Sequence, residues 1–364
     1  MKNILRSTLF AVLMVLLTLA GCKEKEEKVS KEEATKFARD MEKQVSDYKI
    51  DFIEKNIHIP ILMERINKDV KSKQVKGLEQ GIKNGLKSNN YERSIYEIMG
   101  GKGSFELTKQ YEEDGMQHII FRTFGVNGLN YLDMELTKHK GKTGIADMFL
   151  HSTGENLSKS MGDLATKLLQ HEGSSIESVL IERFKNIERY NQDKQYEKAK
   201  AEFLLLPYDL RNDRLYEARY LEILSHISEE EYRQEMDKMM KKYEERSGFD
   251  LMLLDIYLSK KDYSKALTAI DAIDSTVKKD PFLDYYRGLI NNLMKDTEKA
   301  LGYFKKGTVS MPDFAGNYAE LFAHYTTVDD KNNAKKYYSI YKKLKGNDPE
   351  IVSSYATMYP WLAD

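Results

Sequence analysis

Residues 118–151 include acidic, basic and imidazole side chains of the kinds that take part in catalysis. Asp147 stands out because it lies among apolar residues in "GIADMFLH", alternating with Ile145 and Phe149. A carboxylate enclosed in this way could act as a general base, since burial raises its pKa. Two alternatives stay open: an ion pair with Arg122 on a neighbouring strand, or exposure to solvent. The stretch contributes these further candidates: His118, Asp133, Glu135, His139 and His151.

Motifs for metal binding or nucleophilic catalysis are missing from the sequence. The seven histidines are scattered without H-x-x-x-H or H-E-x-x-H spacing, and Cys22 is the only cysteine. The glycine turn "GGKG" at 100–103 lacks the spacing of a phosphate-binding loop. We therefore predict that the protein is not an enzyme and needs neither a metal nor a cofactor.

Four strands must position the candidate side chains. Alternating apolar residues predict strands in "SFELTKQY", "MQHIIFRTFGV", "LNYLDMELTKH" and "TGIADMFLH", joined by turns at "EDG", "NG" and "KGKTG". Helical periodicity precedes them over 31–98 and follows them in "NLSKSMGDLATKLLQ". We predict an α+β domain over 31–175, with helices and a four-stranded antiparallel sheet. This element order resembles the cystatin-like and nuclear-transport-factor-like cones, and the resemblance implies an alternative function, a cone pocket for a small ligand or glycan.

Composition limits the classes of protein to consider. The chain has 364 residues, enough for two domains of ordinary size. Its 57 basic and 58 acidic residues give a net charge of -1, so no positive field favours nucleic acid as a partner. Proline is scarce, at 6 residues, which favours long helices.

The first residues have the features of an export signal. Lys2 and Arg6 precede the apolar run "LFAVLMVLLTLA", which is too short to span a bilayer and ends at "LAGC". This ending resembles the lipobox of bacterial lipoproteins. The resemblance implies a signal peptide at 1–21 and fatty acyl chains such as palmitate on Cys22. It also implies a lipid-anchored protein of the outer membrane, with two alternatives for its location, the periplasmic face or the cell surface. The charged segment "KEKEEKVSKEE" predicts a flexible tether at 22–33.

A 34-residue period marks the C-terminal half. Ala266, Ala300 and Ala334 are spaced by this period, and each is followed four residues later by an apolar or aromatic residue. A small residue is needed where two antiparallel helices cross closely. Ala199 and Phe203 form an earlier copy. The pattern resembles the tetratricopeptide repeat, and we predict an all-α superhelix over 176–364 with about five repeats and a capping helix after Pro349.

The same resemblance implies which first-helix residues face inward. We predict that a protein or peptide partner binds there, with Asn292 forming hydrogen bonds to its extended backbone and Tyr285 acting as an anchor. The alternative for Tyr285 is that it packs between repeats. The predicted function is a non-enzymatic interaction scaffold held at the membrane through Cys22. The candidate peptide-binding residues are Leu251, Asp255, Leu258, Phe282, Tyr285, Leu289, Asn292 and Leu293.

Overall fold

The computed structural model describes residues 26–48, 51–69, 91–101, 103–125, 128–151, 154–170, 174–244, 246 and 248–362. The predicted signal peptide and Cys22 lie outside these residues. Among the described residues, no helix is both long and apolar enough to cross a membrane.

The folded part begins earlier than predicted. Glu27 exchanges backbone hydrogen bonds with Lys138, at 3.1 and 2.9 Å, and Val29 is buried. Ser30 and Glu33 then form a capping box that starts the first helix. The predicted end of the tether at residue 33 is therefore too late, because the segment from Glu27 onward already pairs with the sheet.

The helices of the N-terminal half cover one face of its sheet. The first helix shows why they do: its stripe of Ala34, Phe37, Ala38, Met41 and Val45 is buried against the sheet. The helices of this half are α1 (Lys31–Ser46), α2 (Phe52–Asn56), α3 (Ile59–Asp69), α4 (Tyr91–Met99) and, after the sheet, α5 (Leu157–Gln170).

The sheet is antiparallel, with its strands in sequence order. Its strands are β1 (Ser104–Glu113), β2 (Met116–Gly125), β3 (Gly128–His139), β4 (Lys142–Leu150) and β5 (Glu155–Asn156). The four predicted strands are confirmed. The predicted count is wrong by one, because the two-residue β5 pairs with the end of β4 and is too short to show an alternation. Asp114–Gly115 and Lys140–Gly141 have positive φ at both turn positions, as tight hairpins require.

The two faces of the sheet belong to different cores. Ile119 and Phe121 point into the core beneath α1–α5. Their neighbours point the other way: Ile120 and Tyr131 join a core with helices of the C-terminal half. Since successive strand residues face opposite sides, the sheet is sandwiched between its own helices and the C-terminal half.

The C-terminal half is a series of helical hairpins. In the described part of the chain there are five hairpins, then a final helix and a 3₁₀ turn. Their bounds are α6 (Ser174–Gln192) with α7 (Tyr196–Leu204), a short α8 (Tyr208–Arg211), α9 (Arg214–Ser225) with α10 (Glu229–Tyr243), α11 (Asp250–Ser259) with α12 (Tyr263–Thr276), α13 (Phe282–Leu293) with α14 (Thr297–Ser310), α15 (Ala315–Thr327) with α16 (Lys331–Tyr341), α17 (Pro349–Met358) and Pro360–Leu362.

The 34-residue period of the sequence is matched by repeated burial and repeated turn conformations in the structure. The four alanines of the pattern, at 199, 266, 300 and 334, are at most 2% exposed, as the close crossing requires. Lys261, Lys295 and Asp329, also one period apart, each adopt a positive φ in the hairpin turn. In each case the following aspartate accepts a hydrogen bond from a backbone N–H in the first turn of the second helix.

Gly288 shows how closely the paired helices approach. A Cβ at this position would lie 2.8 Å from Cδ1 of Phe304 and closer still to Cε1. Phe304 is the residue four places after Ala300, and it is buried. The absence of a side chain on α13 therefore lets the ring from α14 fill the hairpin core.

Candidate functional site

The predicted peptide-binding residues lie on two consecutive first helices, α11 and α13. We call these positions, together with the neighbouring residues of α15, the inner helix surface. Its residues differ in exposure. Leu251 and Phe282 are buried, whereas Leu258, Tyr285 and Leu289 are half-buried and Asp255, Asn292 and Leu293 are exposed.

Phe282 is covered by the sheet. Its ring packs edge-on against Phe124 of β2 at a centroid distance of 4.7 Å, and the guanidinium of Arg122 lies 4.1 Å from its ring centre. Leu251 belongs to the core shared with the sheet residues Ile120 and Tyr131. The sheet thus occupies the part of the inner helix surface around these two residues, where the sequence predicts peptide contacts.

Tyr285 packs among aromatic rings of its own and neighbouring helices. Its ring centre lies 5.9 Å from Phe282, 5.9 Å from Phe304 and 4.9 Å from Phe314. Burial and the charge of Glu320 raise the pKa of its hydroxyl. The structure therefore places Tyr285 in the inter-repeat packing that the sequence left as its alternative, with one edge still reached by solvent.

Two carboxylates distinguish the rest of the inner helix surface. Solvent reaches Asp255, but neighbouring protein atoms crowd its carboxylate, and this desolvation raises its pKa to about 6. Glu320 of α15 is half-buried, and its pKa is also raised by burial. Among the residues that the structure describes, neither carboxylate has an ion-pair or hydrogen-bond partner. Sequence reasoning missed Glu320, although it directly follows the inward-facing position of Ala319.

A cleft opens where the sheet meets the C-terminal half. It has a volume of about 380 Å³ and lies between β1–β4 and the segment that follows α12. Four of the residues singled out in the sequence come together here, namely His118, Asp133, Glu135 and Asp147. The remaining lining residues are Tyr111, Glu113, Asp114, Met116, Met148, Phe149, Asn156, Thr276 and Lys278.

The predicted pair of Asp147 with Arg122 is wrong. Asp147 accepts hydrogen bonds from Ser158 Oγ, from the Ser158 backbone N–H at 3.1 Å and from the Met148 N–H at 2.8 Å. Arg65 Nη1 lies 3.8 Å from its Oδ2. Burial raises the pKa of Asp147, while the hydrogen bonds from Ser158 act against the shift. Because both its oxygens are engaged within the fold, the general-base role has no support in this geometry.

Arg122 instead reaches across to the C-terminal half. Its Nη1 lies 2.9 and 2.8 Å from the two carboxylate oxygens of Asp280, and Tyr131 donates its hydroxyl to the same aspartate at 2.8 Å. Arg122 and Asp280 are each 4% exposed. A buried ion pair with this hydrogen bonding connects the two halves of the chain.

His118, Asp133 and Tyr111 form a second polar group, inside the cleft. His118 Nδ1 lies 3.1 Å from Asp133 Oδ1, Tyr111 donates its hydroxyl to Oδ2, and the Tyr111 and His118 rings stack at 4.8 Å. Burial alone would lower the pKa of His118, but the hydrogen bond and charge of Asp133 outweigh it and raise the pKa. The contact with Asp133 therefore favours the charged form of the His118 imidazole.

The other histidines of the stretch lie away from the cleft. His139 packs near His58, with ring centres 5.7 Å apart. His151 is enclosed between Tyr131 and Phe149, and burial lowers its pKa to about 4. Within the part of the chain that the structure describes, no three His, Cys, Asp or Glu side chains form a group suited to a metal ion.

Comparison with known proteins gives no family for the chain. No family model matches the sequence, and no curated protein matches it. Among solved structures, MamA 41-end from Desulfovibrio magneticus RS-1 has 15% identity and a TM-score of 0.36, over 45% of this chain and 93% of that chain. MamA AMB-1 has 11% identity and a TM-score of 0.35, over 48% of this chain and 97% of that chain. At these TM-scores the likeness carries no argument for function.

Proposed function

We propose that the protein is an interaction scaffold whose tetratricopeptide-like superhelix binds an extended, basic segment of a protein partner. The observation that carries this proposal is the pair of uncompensated carboxylates on the inner helix surface, Asp255 and Glu320. Two other acids of the helical half, Asp274 and Asp284, have the cationic Arg287 beside them. A cationic partner would supply the missing charge.

The open part of this surface supports the same partner. Leu293 is 54% exposed, and Asn292 beside it is exposed and offers both a donor and an acceptor to a peptide backbone. Leu289 lies half-buried one turn earlier. The buried residues Phe282 and Leu251 have no part in this proposal, since the sheet covers them. Under this proposal the chain acts by binding and not by catalysis.

Charge neutralisation tests the proposal. A set of 12-residue peptides with matched lengths, rich in lysine and arginine or in glutamate, would be titrated against the protein by fluorescence anisotropy. The double variant Asp255→Asn with Glu320→Gln should bind basic peptides about tenfold more weakly, because two attractive charges are lost. Binding by the unaltered protein should also weaken as pH falls from 7.5 to 5, since Asp255 gains a proton near pH 6.

A control variant separates the surface from net charge. Glu197→Gln with Glu298→Gln removes two exposed carboxylates from second helices, α7 and α14, and should leave the affinity unchanged. Equal losses in both double variants would mean that the peptides respond to overall charge. Equal affinity for basic and acidic peptides would contradict the proposal directly.

Membrane anchoring through Cys22 is the second part of the proposal. It is supported by the lipobox-like "LAGC" that ends the apolar run. Cys22→Ser should yield uncleaved precursor or protein that fractionates away from membranes, because fatty acyl chains would be missing. Mature Cys22→Ser protein in the membrane fraction would refute the anchor.

A further inference from the structure

Two neighbouring hairpins, α13 with α14 and α15 with α16, expose large apolar side chains at the turn between their helices. Leu293 and Met294 lie at the end of α13 and Val328 at the end of α15, and they are 54%, 45% and 57% exposed. Met294 and Val328 are one 34-residue period apart, and each is the C-cap of its helix. Equivalent positions of successive hairpins lie side by side in a superhelix, so the three side chains form one patch, which we call the apolar turn edge.

The preceding hairpin has a charged residue at the same place. Lys260 is the C-cap of α11, one period before Met294, and it forms an ion pair with Asp237 of α10. A single exposed apolar residue needs no explanation, whereas a contiguous apolar patch is typical of an interaction site. The turn edge therefore changes from charged to apolar at α13.

The apolar turn edge continues the inner helix surface. Leu293 follows Leu289 by one turn on the same face of α13. Leu289 packs against the same core as Ala319 and Ala323 of α15. The row of Leu289 and Leu293 thus leads from the contact between the two first helices to the turn, and a segment bound on the inner helix surface can reach the edge without crossing another element.

The uncompensated carboxylates lie close to this edge. Glu320 precedes Val328 by eight residues on α15, which is about 12 Å along the helix axis. An extended segment advances about 3.3 Å per residue, so about four residues of a partner connect the two positions. Asp255 of α11 corresponds to Leu289 of α13, one period later, and therefore lies about one turn from the level of Leu293.

We propose that the basic segment of the partner also carries a large apolar side chain, which binds to the apolar turn edge. This inference rests on the proposed function, because the carboxylates of Asp255 and Glu320 select the basic residues of the segment. The apolar side chain lies about four residues from a basic one. When the segment is bound, it covers the exposed surface of the edge and removes its own surface from water.

Fluorescence anisotropy with two 12-residue peptides and the full-length protein tests the proposal. Both peptides carry four lysines; one has a leucine four residues from the nearest lysine, and the other has serine in its place. The leucine peptide should bind about tenfold more tightly, because its side chain is removed from water. Equal affinity would overturn this inference and leave the proposed function intact. Failure of both peptides to bind would overturn the proposed function and this inference with it.

A double variant locates the effect at the edge. Leu293→Ser with Val328→Ser should abolish the preference for the leucine peptide, because the apolar contact is lost. It should leave the affinity for the serine peptide unchanged, since both carboxylates are retained, and that affinity also shows that the variant is folded.

The matched control is Val309→Ser. Val309 is 83% exposed near the end of α14, and it lies at the opposite edge of its hairpin because the paired helices are antiparallel. This variant should keep the preference for leucine. Loss of the preference in both Val309→Ser and the double variant, or in neither, would overturn the proposal.

Two further measurements separate the proposed partner from other occupants of the edge. Sedimentation velocity reports self-association, and flotation with vesicles of phosphatidylethanolamine and phosphatidylglycerol reports lipid binding. The unaltered protein and the double variant should behave alike in both. Self-association or vesicle binding that the double variant loses would assign the edge to a second copy of the chain or to a lipid surface, and would overturn the proposal.

Discussion

Replacing Arg122 by methionine should lower the free energy of unfolding by about 3 kcal/mol, because it removes one partner of a buried ion pair. Arg122 on β2 contacts both oxygens of Asp280, which lies just before α13. Methionine keeps much of the aliphatic volume, so the lost charge dominates the effect. The contact of the guanidinium with the Phe282 ring, at 4.1 Å, is lost as well.

The magnitude follows from what remains around Asp280. Removing one member of a buried pair typically costs about 3–5 kcal/mol, because the other charge is left uncompensated. Asp280 would retain hydrogen bonds from the Tyr131 hydroxyl at 2.8 Å and from the Phe282 N–H at 3.0 Å. These donors stabilise the carboxylate, so the lower end of that range is expected. A domain is stable by only about 5–15 kcal/mol in total, which makes the loss easy to measure.

Urea unfolding followed by circular dichroism would measure the change. The double variant Arg122→Met with Asp280→Asn should be less destabilised than the sum of the single variants, since no unpaired charge stays buried. Arg233→Met is the control, because Arg233 and its partner Glu229 are exposed at 58% and 82%, and the change should be within about 0.5 kcal/mol. A loss below about 1 kcal/mol in Arg122→Met, or additive single variants, would refute the buried-pair reasoning.

Two further predictions concern packing and protonation. Gly288→Ala should lower thermal stability, since its Cβ would overlap the Phe304 ring, whereas Gly302→Ala, with open space around it on α14, should raise stability by up to about 1 kcal/mol. A stabilising Gly288→Ala together with a destabilising Gly302→Ala would show that the close helix contact is not at Gly288. The pKa of His151 falls from 6.5 to about 4 on folding, so the unfolded chain takes up the proton first and stability should fall by about 3 kcal/mol between pH 6.5 and pH 4. Measured by urea unfolding at a series of pH values, His151→Phe should remove that component; an unchanged profile would contradict the assignment.

The C-terminal architecture could be predicted from the sequence because each hairpin packs on its neighbours along the chain. A close helix crossing requires a small residue, and Ala266, Ala300 and Ala334 recur with the length of one hairpin. These contacts are local in sequence, so local patterns encode them.

The strands were predictable for a similar reason. Alternation placed Ile119 and Phe121 on one face and Ile120 and Arg122 on the other, and Asp-Gly at 114–115 specified a tight turn. The two residues of β5 are too few to show a period, so the sequence predicts four strands where the sheet has five. The likeness to cystatin-like cones and the boundary between domains at 175 and 176 stay predictions.

Only the tertiary structure decided what each face contacts. Alternation showed that Arg122 and Asp147 could share a face, but not that Arg122 would pair with Asp280, 158 residues away, and with Glu106 on β1. The repeat pattern marked Phe282 as inward-facing, but not that the sheet would cover it. Periodicity reports which side of an element is buried, whereas the partner depends on how distant elements are placed. That placement depends on the whole packed chain. The hydrophobic effect favours the burial of apolar surface, but it does not specify which residue covers that surface.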